Sequence, residues 1–164
     1  MADVECKVIV EVPKGSRNKY EYDEEDGVIE LDRRLFSAVS FPTDYGFIPG
    51  TIGPQGDPLD ALVCVTEPTF PGCRIKVKPI ALHKQRDDEG PDPKVLCVPL
   101  NDPAWNHIEE VDDLPGQLKE EIDHFFTIYT DLEGQTVEID GWGSRDAANE
   151  EIARAQERYG EQNG

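Results

Sequence analysis

The sequence predicts a mainly β (α+β) fold in which short strands form a small barrel and two α-helices follow. Three observations carry that prediction. Seven short stretches have strand character and are parted by turns rich in Gly, Pro and Asp. Helical periodicity is confined to the last third of the chain. Val, Ile, Leu and Phe supply 40 of the 164 residues, enough for one core and too few for two. A single domain over residues 1–164 is therefore expected, with no internal repeat and no linker inside it.

The first strand runs from Cys6 to Val12, with Val8, Val10 and Val12 on one face and Lys7 and Glu11 on the other. Pro13-Lys14-Gly15-Ser16 ends it. Strands at Lys19 to Asp23 and Val28 to Asp32 flank an acidic turn containing Asp26-Gly27, a short hairpin signal. Later strands are expected at Ala61 to Val65, Arg74 to His83, Lys94 to Pro99 and Thr136 to Gly141. After Asp113-Leu114-Pro115, the residues Leu118, Ile122, Phe125, Phe126 and Tyr129 recur at helical spacing. A second helix covers Ser144 to Tyr159 through Ala148, Ile152, Ala155 and Tyr159; Gly160 closes it, and the residues beyond should fray.

Charge narrows the function classes. Sixteen basic residues against 35 acidic ones give a net charge of −19, a field that repels nucleic acid and anionic membrane. Apolar runs such as Ala61–Val65 fall far short of the roughly 20 residues that span a bilayer. The first residues lack the basic and apolar regions of a secretory signal, so a cytoplasmic protein is expected. Cys6, Cys64, Cys73 and Cys97 have no Cys-x-x-Cys spacing and read as reduced, mostly buried thiols, with one disulfide pair left open.

Nucleotide-binding glycine motifs and the serine-hydrolase elbow are absent. His83, His107 and His124 are not spaced like zinc ligands, so any metal must be held by oxygen. Two loops are rich in oxygen donors, Gln55-Gly56-Asp57-Pro58-Leu59-Asp60 and Asp87-Asp88-Glu89-Gly90-Pro91-Asp92. In the first, Pro58 stiffens the turn and the apolar Ala61-Leu62-Val63 follows, which puts Asp60 at the mouth of a buried strand, where a carboxylate is costly without a cation. Lys19-Tyr20-Glu21, Asp32-Arg33-Arg34 and Asp44-Tyr45-Gly46 add cations and phenols suited to phosphate oxygens.

These motifs, in this order, resemble the family I soluble inorganic pyrophosphatases in their short bacterial form. The resemblance runs from about Val8 to Tyr159 and includes His124-Phe125-Phe126. It implies an OB-like five-stranded barrel with flanking strands and two α-helices, Mg²⁺-dependent hydrolysis of pyrophosphate to phosphate, and a homohexamer. Carried over by motif, the metal ligands would be Glu11, Glu21, Gln55, Asp57, Asp60, Asp87 and Asp92, with Asp57 also the general base. The phosphate contacts would be Lys19, Arg33, Tyr45, Lys94 and Tyr129. Three positions depart from the pattern: Gln55 replaces the first Asp of D-x-D-P-x-D, Thr130 replaces a Lys, and a further Lys is missing around Gly134-Gln135-Thr136. Each removes charge from the implied site, so the alternative is a degenerate relative that binds phosphate and metal with weak or no turnover. A single-stranded nucleic-acid module is the other barrel function weighed, and the net charge argues against it.

Overall fold

The structure, a computed structural model, describes residues 6–163. Its strands are β1 (Cys6–Val12), β2 (Asn18–Asp23), β3 (Val28–Arg34), β4 (Asp44–Phe47), β5 (Asp60–Val63), β6 (Arg74–Asp87), β7 (Gly90–Pro91), β8 (Lys94–Pro99) and β9 (Glu138–Gly143). Helix α1 covers Gly116–Ile128 and α2 covers Arg145–Asn163. The order β1-β4-β5-β8-β6 closes through a β1–β6 pairing into a five-stranded ring, the expected OB-like barrel. Only β5–β8 within that ring is parallel. The β2–β3 hairpin stands apart from the ring, and Gly27 takes the left-handed conformation (φ 66°) that its turn requires.

One long strand makes the closure work. The first residues of β6 pair with β1, its middle with β8, and its end with β7 and β9. Its register against β8 shifts between Pro79 and Ala81, a bulge that bends the strand where its neighbours change. β1 and β4 approach so closely at Gly46 that a Cβ there would lie 1.9 Å from the Ile9 carbonyl oxygen. Glycine is the one residue that fits.

Period-2 alternation divides the barrel side chains into two buried clusters. Leu62, Leu96 and Val98 share one with Ile122, Phe125 and Phe126 of α1. Ala61, Val63, Val95 and Cys97 share the other with Ala148, Ile152 and Ala155 of α2. Sheet faces and helix stripes thus bury one another as the apolar spacing predicts. Buried Asp44 ties the loops over one end, accepting from the Lys14 N–H (2.8 Å) and the Thr69 hydroxyl (2.6 Å).

Two expectations are corrected. β4 is a strand that the sequence did not place; all four of its residues are buried, so no polar face marks it as one. α2 does not stop at Gly160 but runs on to Asn163, whose side-chain amide donates to the Tyr159 carbonyl at 2.9 Å. All four cysteines are free, with Cys6, Cys64 and Cys97 buried. Among the described residues, no helix is long and apolar enough to cross a membrane.

Candidate active site

A cavity of about 320 Å³ opens between the β2–β3 hairpin and the loop entering β5. Strand alternation aims Glu11 into it, on the face of β1 opposite the valines. Glu21 comes from β2, Gln55 and Asp57 come from the loop, and Asp60 opens β5. That loop is folded on itself: the Gly53 N–H donates to the Asp57 carbonyl (2.6 Å), and Gly56 adopts φ 94°, closed to other residues. Asp92 enters from the turn before β8.

Lys94 organises the floor. Its side chain is 2% exposed, and its ammonium donates to Asp60 Oδ2 (2.6 Å), Asp92 Oδ2 (3.1 Å) and the Tyr45 hydroxyl (3.2 Å). Pairing of β5 with β8 sets Asp60 beside Lys94, so the sheet itself builds the first contact. Burial opposes the ammonium charge, but Asp60, Tyr45 and Asp92 outweigh it and hold the Lys94 pKa well above its ordinary value. Burial likewise pushes the Tyr45 and Tyr129 hydroxyls up, which keeps both as hydrogen-bond donors.

At the rim, Lys19 Nζ reaches Glu21 (2.7 Å) and Asp32 (3.6 Å). Arg33 pairs with Asp32 and sets its Nε 2.8 Å from Glu133 Oε1. Glu11 accepts from the Tyr22 N–H at 2.9 Å. Burial nevertheless pushes its pKa up to about 7, the Tyr22 bond opposing and the nearby Asp60 charge adding to the rise. Asp92 is also raised, by burial first, with Lys94 opposing. Carboxylates crowded until their proton affinity rises are a donor set lacking a counter-charge, and their oxygens suit a hard divalent cation. Among the described residues no three already meet as a metal cage. That spacing fits a cation held by one or two carboxylates and completed by water and substrate oxygens.

The structure therefore brings Glu11, Lys19, Glu21, Tyr45, Gln55, Asp57, Asp60 and Asp92 to one cavity lining. Lys94 lies directly beneath it. Tyr129, half-buried, feels the charges of Lys94 and Lys19 and stacks on Phe125. Arg33 stands outside the lining, in its clasp with Asp32 and Glu133. Asp87 also stands outside, and Gln55 reaches it: the Gln55 amide donates to Asp87 Oδ1 (2.9 Å) and to the Gly90 carbonyl (3.1 Å). Thr130 is turned inward, donating to the Gln135 carbonyl at 3.3 Å.

Sequence reasoning missed Tyr22, Glu24 and Phe47 in the lining and Glu133 beside Arg33. Tyr22 and Phe47 stack at 5.8 Å across the hairpin and β4, a contact no local pattern announces. Glu133 is one acid in an acid-rich chain, so nothing in its neighbours singled it out.

The chain as a whole is similar to known proteins. The family model for inorganic pyrophosphatase matches residues 8–160. The inorganic pyrophosphatase of Methanosarcina acetivorans is 54% identical over 156 residues, which are 95% of this chain and 93% of the relative. That of Streptomyces coelicolor is 49% identical, over 98% and 99% of the two chains. The crystal structure of inorganic pyrophosphatase from Thermus thermophilus superposes with a TM-score of 0.90 at 44% identity, covering 93% of this chain and 90% of that one. The alternative of a barrel without turnover finds no support among these relatives. A ring of carboxylates over a buried lysine, in a barrel shared along almost its whole length with such proteins, has one reading: the chain belongs to the inorganic pyrophosphatase family, in its short family I form, and hydrolyses inorganic pyrophosphate.

Proposed function

We propose that hydrolysis depends on Mg²⁺ ions shared among Glu11, Glu21, Gln55, Asp57, Asp60, Asp87 and Asp92, with only one or two carboxylates on each ion, and that Lys19, Arg33, Tyr45, Lys94 and Tyr129 bind the phosphates. The observation that carries this reading is Lys94, buried beneath the carboxylates and bonded to two of them. Bound Mg²⁺ would neutralise charge between carboxylates and substrate and acidify the attacking water. Asp57 accepts that water's proton as its oxygen attacks phosphorus and the bridging P–O bond breaks. Lys94 and Arg33 neutralise charge on the phosphate that departs, in the bound substrate as in the transition state, while the Tyr45 and Tyr129 hydroxyls donate to its oxygens. Gln55 offers Mg²⁺ only a neutral carbonyl oxygen and uses its amide to hold Asp87.

The chain is expected to work in the cytoplasm as a single domain, residues 1–164, assembled into a homohexamer, with no nucleic-acid or membrane partner. Exposed Phe36, Phe70 and Leu132 are apolar surface that such an assembly would cover. The test is phosphate release from pyrophosphate with Mg²⁺, with EDTA, and by Asp57→Asn. EDTA should abolish release, and Asp57→Asn should lower the rate with little change in Mg²⁺ demand. Equal release with and without EDTA would remove the metal mechanism. Mass measurement in solution checks the hexamer.

A further inference from the structure

Behind the cavity floor lies a polar chain that the barrel does not need for closure. His83 is fully buried, yet both ring nitrogens are partnered: its Nε2 lies 2.8 Å from Asp123 Oδ1 and its Nδ1 lies 3.0 Å from Gln85 Nε2. The Gln85 amide nitrogen can only donate and the Asp123 carboxylate can only accept. Those partners assign the neutral tautomer with its proton on Nε2. Burial pushes the ring's pKa down and the Lys94 ammonium adds to that, against the opposing pull of Asp123.

The location links this chain to the site. His83 of β6 pairs directly with Lys94 of β8 on one side and with Trp142 of β9 on the other. Its ring meets Trp142 edge-on at 4.7 Å and Phe126 at 5.6 Å. Phe126 in turn lies 5.8 Å from the Lys94 ammonium and packs on Tyr129 at 5.5 Å. Asp123 is three residues before Phe126 on α1, the helix that also leads into Tyr129. An apolar contact here would tolerate sliding of α1 on the barrel, whereas a charge-assisted hydrogen bond fixes one rotation and one height.

We propose that His83, held between Gln85 and Asp123, is a positioning residue for pyrophosphate hydrolysis: it locks α1 so that Phe126 and Tyr129 keep the Lys94 ammonium and the Tyr129 hydroxyl aligned on the phosphate. This rests on the reading that Lys94 and Tyr129 meet substrate.

The experiment measures KM and kcat at saturating Mg²⁺, with thermal melts, for His83→Phe, Asp123→Leu, Asp123→Asn and Lys94→Met. His83→Phe keeps the ring and its aromatic neighbours but removes both hydrogen bonds. Asp123→Asn keeps an oxygen for the Nε2–H, and Asp123→Leu does not. The expected result is a KM raised about tenfold in His83→Phe and Asp123→Leu with kcat within about twofold, the pattern of lost binding shared by ground and transition states. Asp123→Asn should stay within about twofold of the parent on both constants. If His83→Phe fails to fold, the two Asp123 variants decide, since Asp123 is 40% exposed and tolerates replacement. A KM unmoved in Asp123→Leu while Lys94→Met raises it overturns the positioning role alone, whatever happens to the melting temperature. An Asp123→Asn as impaired as Asp123→Leu also overturns it. A KM unmoved in Lys94→Met overturns the underlying reading of the site.

Discussion

Glu11→Gln in metal-free protein separates the cost of a crowded carboxylate from its use. In the fold the Glu11 pKa stands at about 7 against an ordinary 4.5. Below 4.5 both folded and unfolded chains hold the proton. Between 4.5 and 7 the unfolded chain releases it first, so the folded state loses stability as pH rises through that window and stays weakened above it. The difference of about 2.5 pKa units corresponds to roughly 3 kcal/mol at pH 8 and to under about 1 kcal/mol at pH 5. Gln still accepts from the Tyr22 N–H, so the substitution removes the charge and little else. In EDTA, Glu11→Gln should therefore raise Tm by about 6 to 12 °C at pH 8 and by far less at pH 5, measured by calorimetry. Adding Mg²⁺ at pH 8 should lift the parent more than the variant, while activity falls in the variant. An equal Tm gain at both pH values, or none at pH 8, would refute the claim that Glu11 is held against its charge.

Three further outcomes are expected. Gln55→Asp removes the amide that donates to Asp87 and sets two carboxylates against each other; in EDTA its Tm should fall, while Mg²⁺ titration of the rate should show half-saturation at lower metal and an acidic limb shifted to lower pH. Unchanged Mg²⁺ dependence would take position 55 out of the ligand set. Gly46→Ala should cost about 3 kcal/mol or prevent folding, because the new Cβ meets backbone atoms of Ile9 and Val10 that cannot swing aside; a denaturant midpoint equal to the parent's would contradict the close β1–β4 approach. With a net charge of −19, Tm should rise from low to molar KCl, and a flat profile would show that self-repulsion does not limit stability.

What the sequence determined by itself is what consecutive residues carry. The Val8, Val10, Val12 alternation set β1 and, by the same period, turned Glu11 toward the cavity. Spacings of three and four set the α1 face made of Ile122, Phe125 and Phe126. The stiff turn at Asp57-Pro58 marked the loop that delivers Asp57 and Asp60. A period, a cap or a turn is local, so it survives in a one-dimensional reading. β4 was lost because a strand buried on both faces has no alternation to read. Gly160 misled because glycine permits a helix stop without enforcing one when the following turn can hydrogen-bond onward.

The rest was decided only in three dimensions. Lys94 meets Asp60 and Tyr45, residues 34 and 49 positions away, because β8 lies beside β5 and β5 beside β4. Gln55 finds Asp87, and His83 finds Asp123, across 32 and 40 positions. Which polar groups become partners depends on how the ring closes and on which water is excluded by that closure. The same closure turns an ordinary glutamate on β1 into one whose proton is held to about pH 7. Desolvation and pairing belong to the packed barrel, and no stretch of neighbouring residues encodes them.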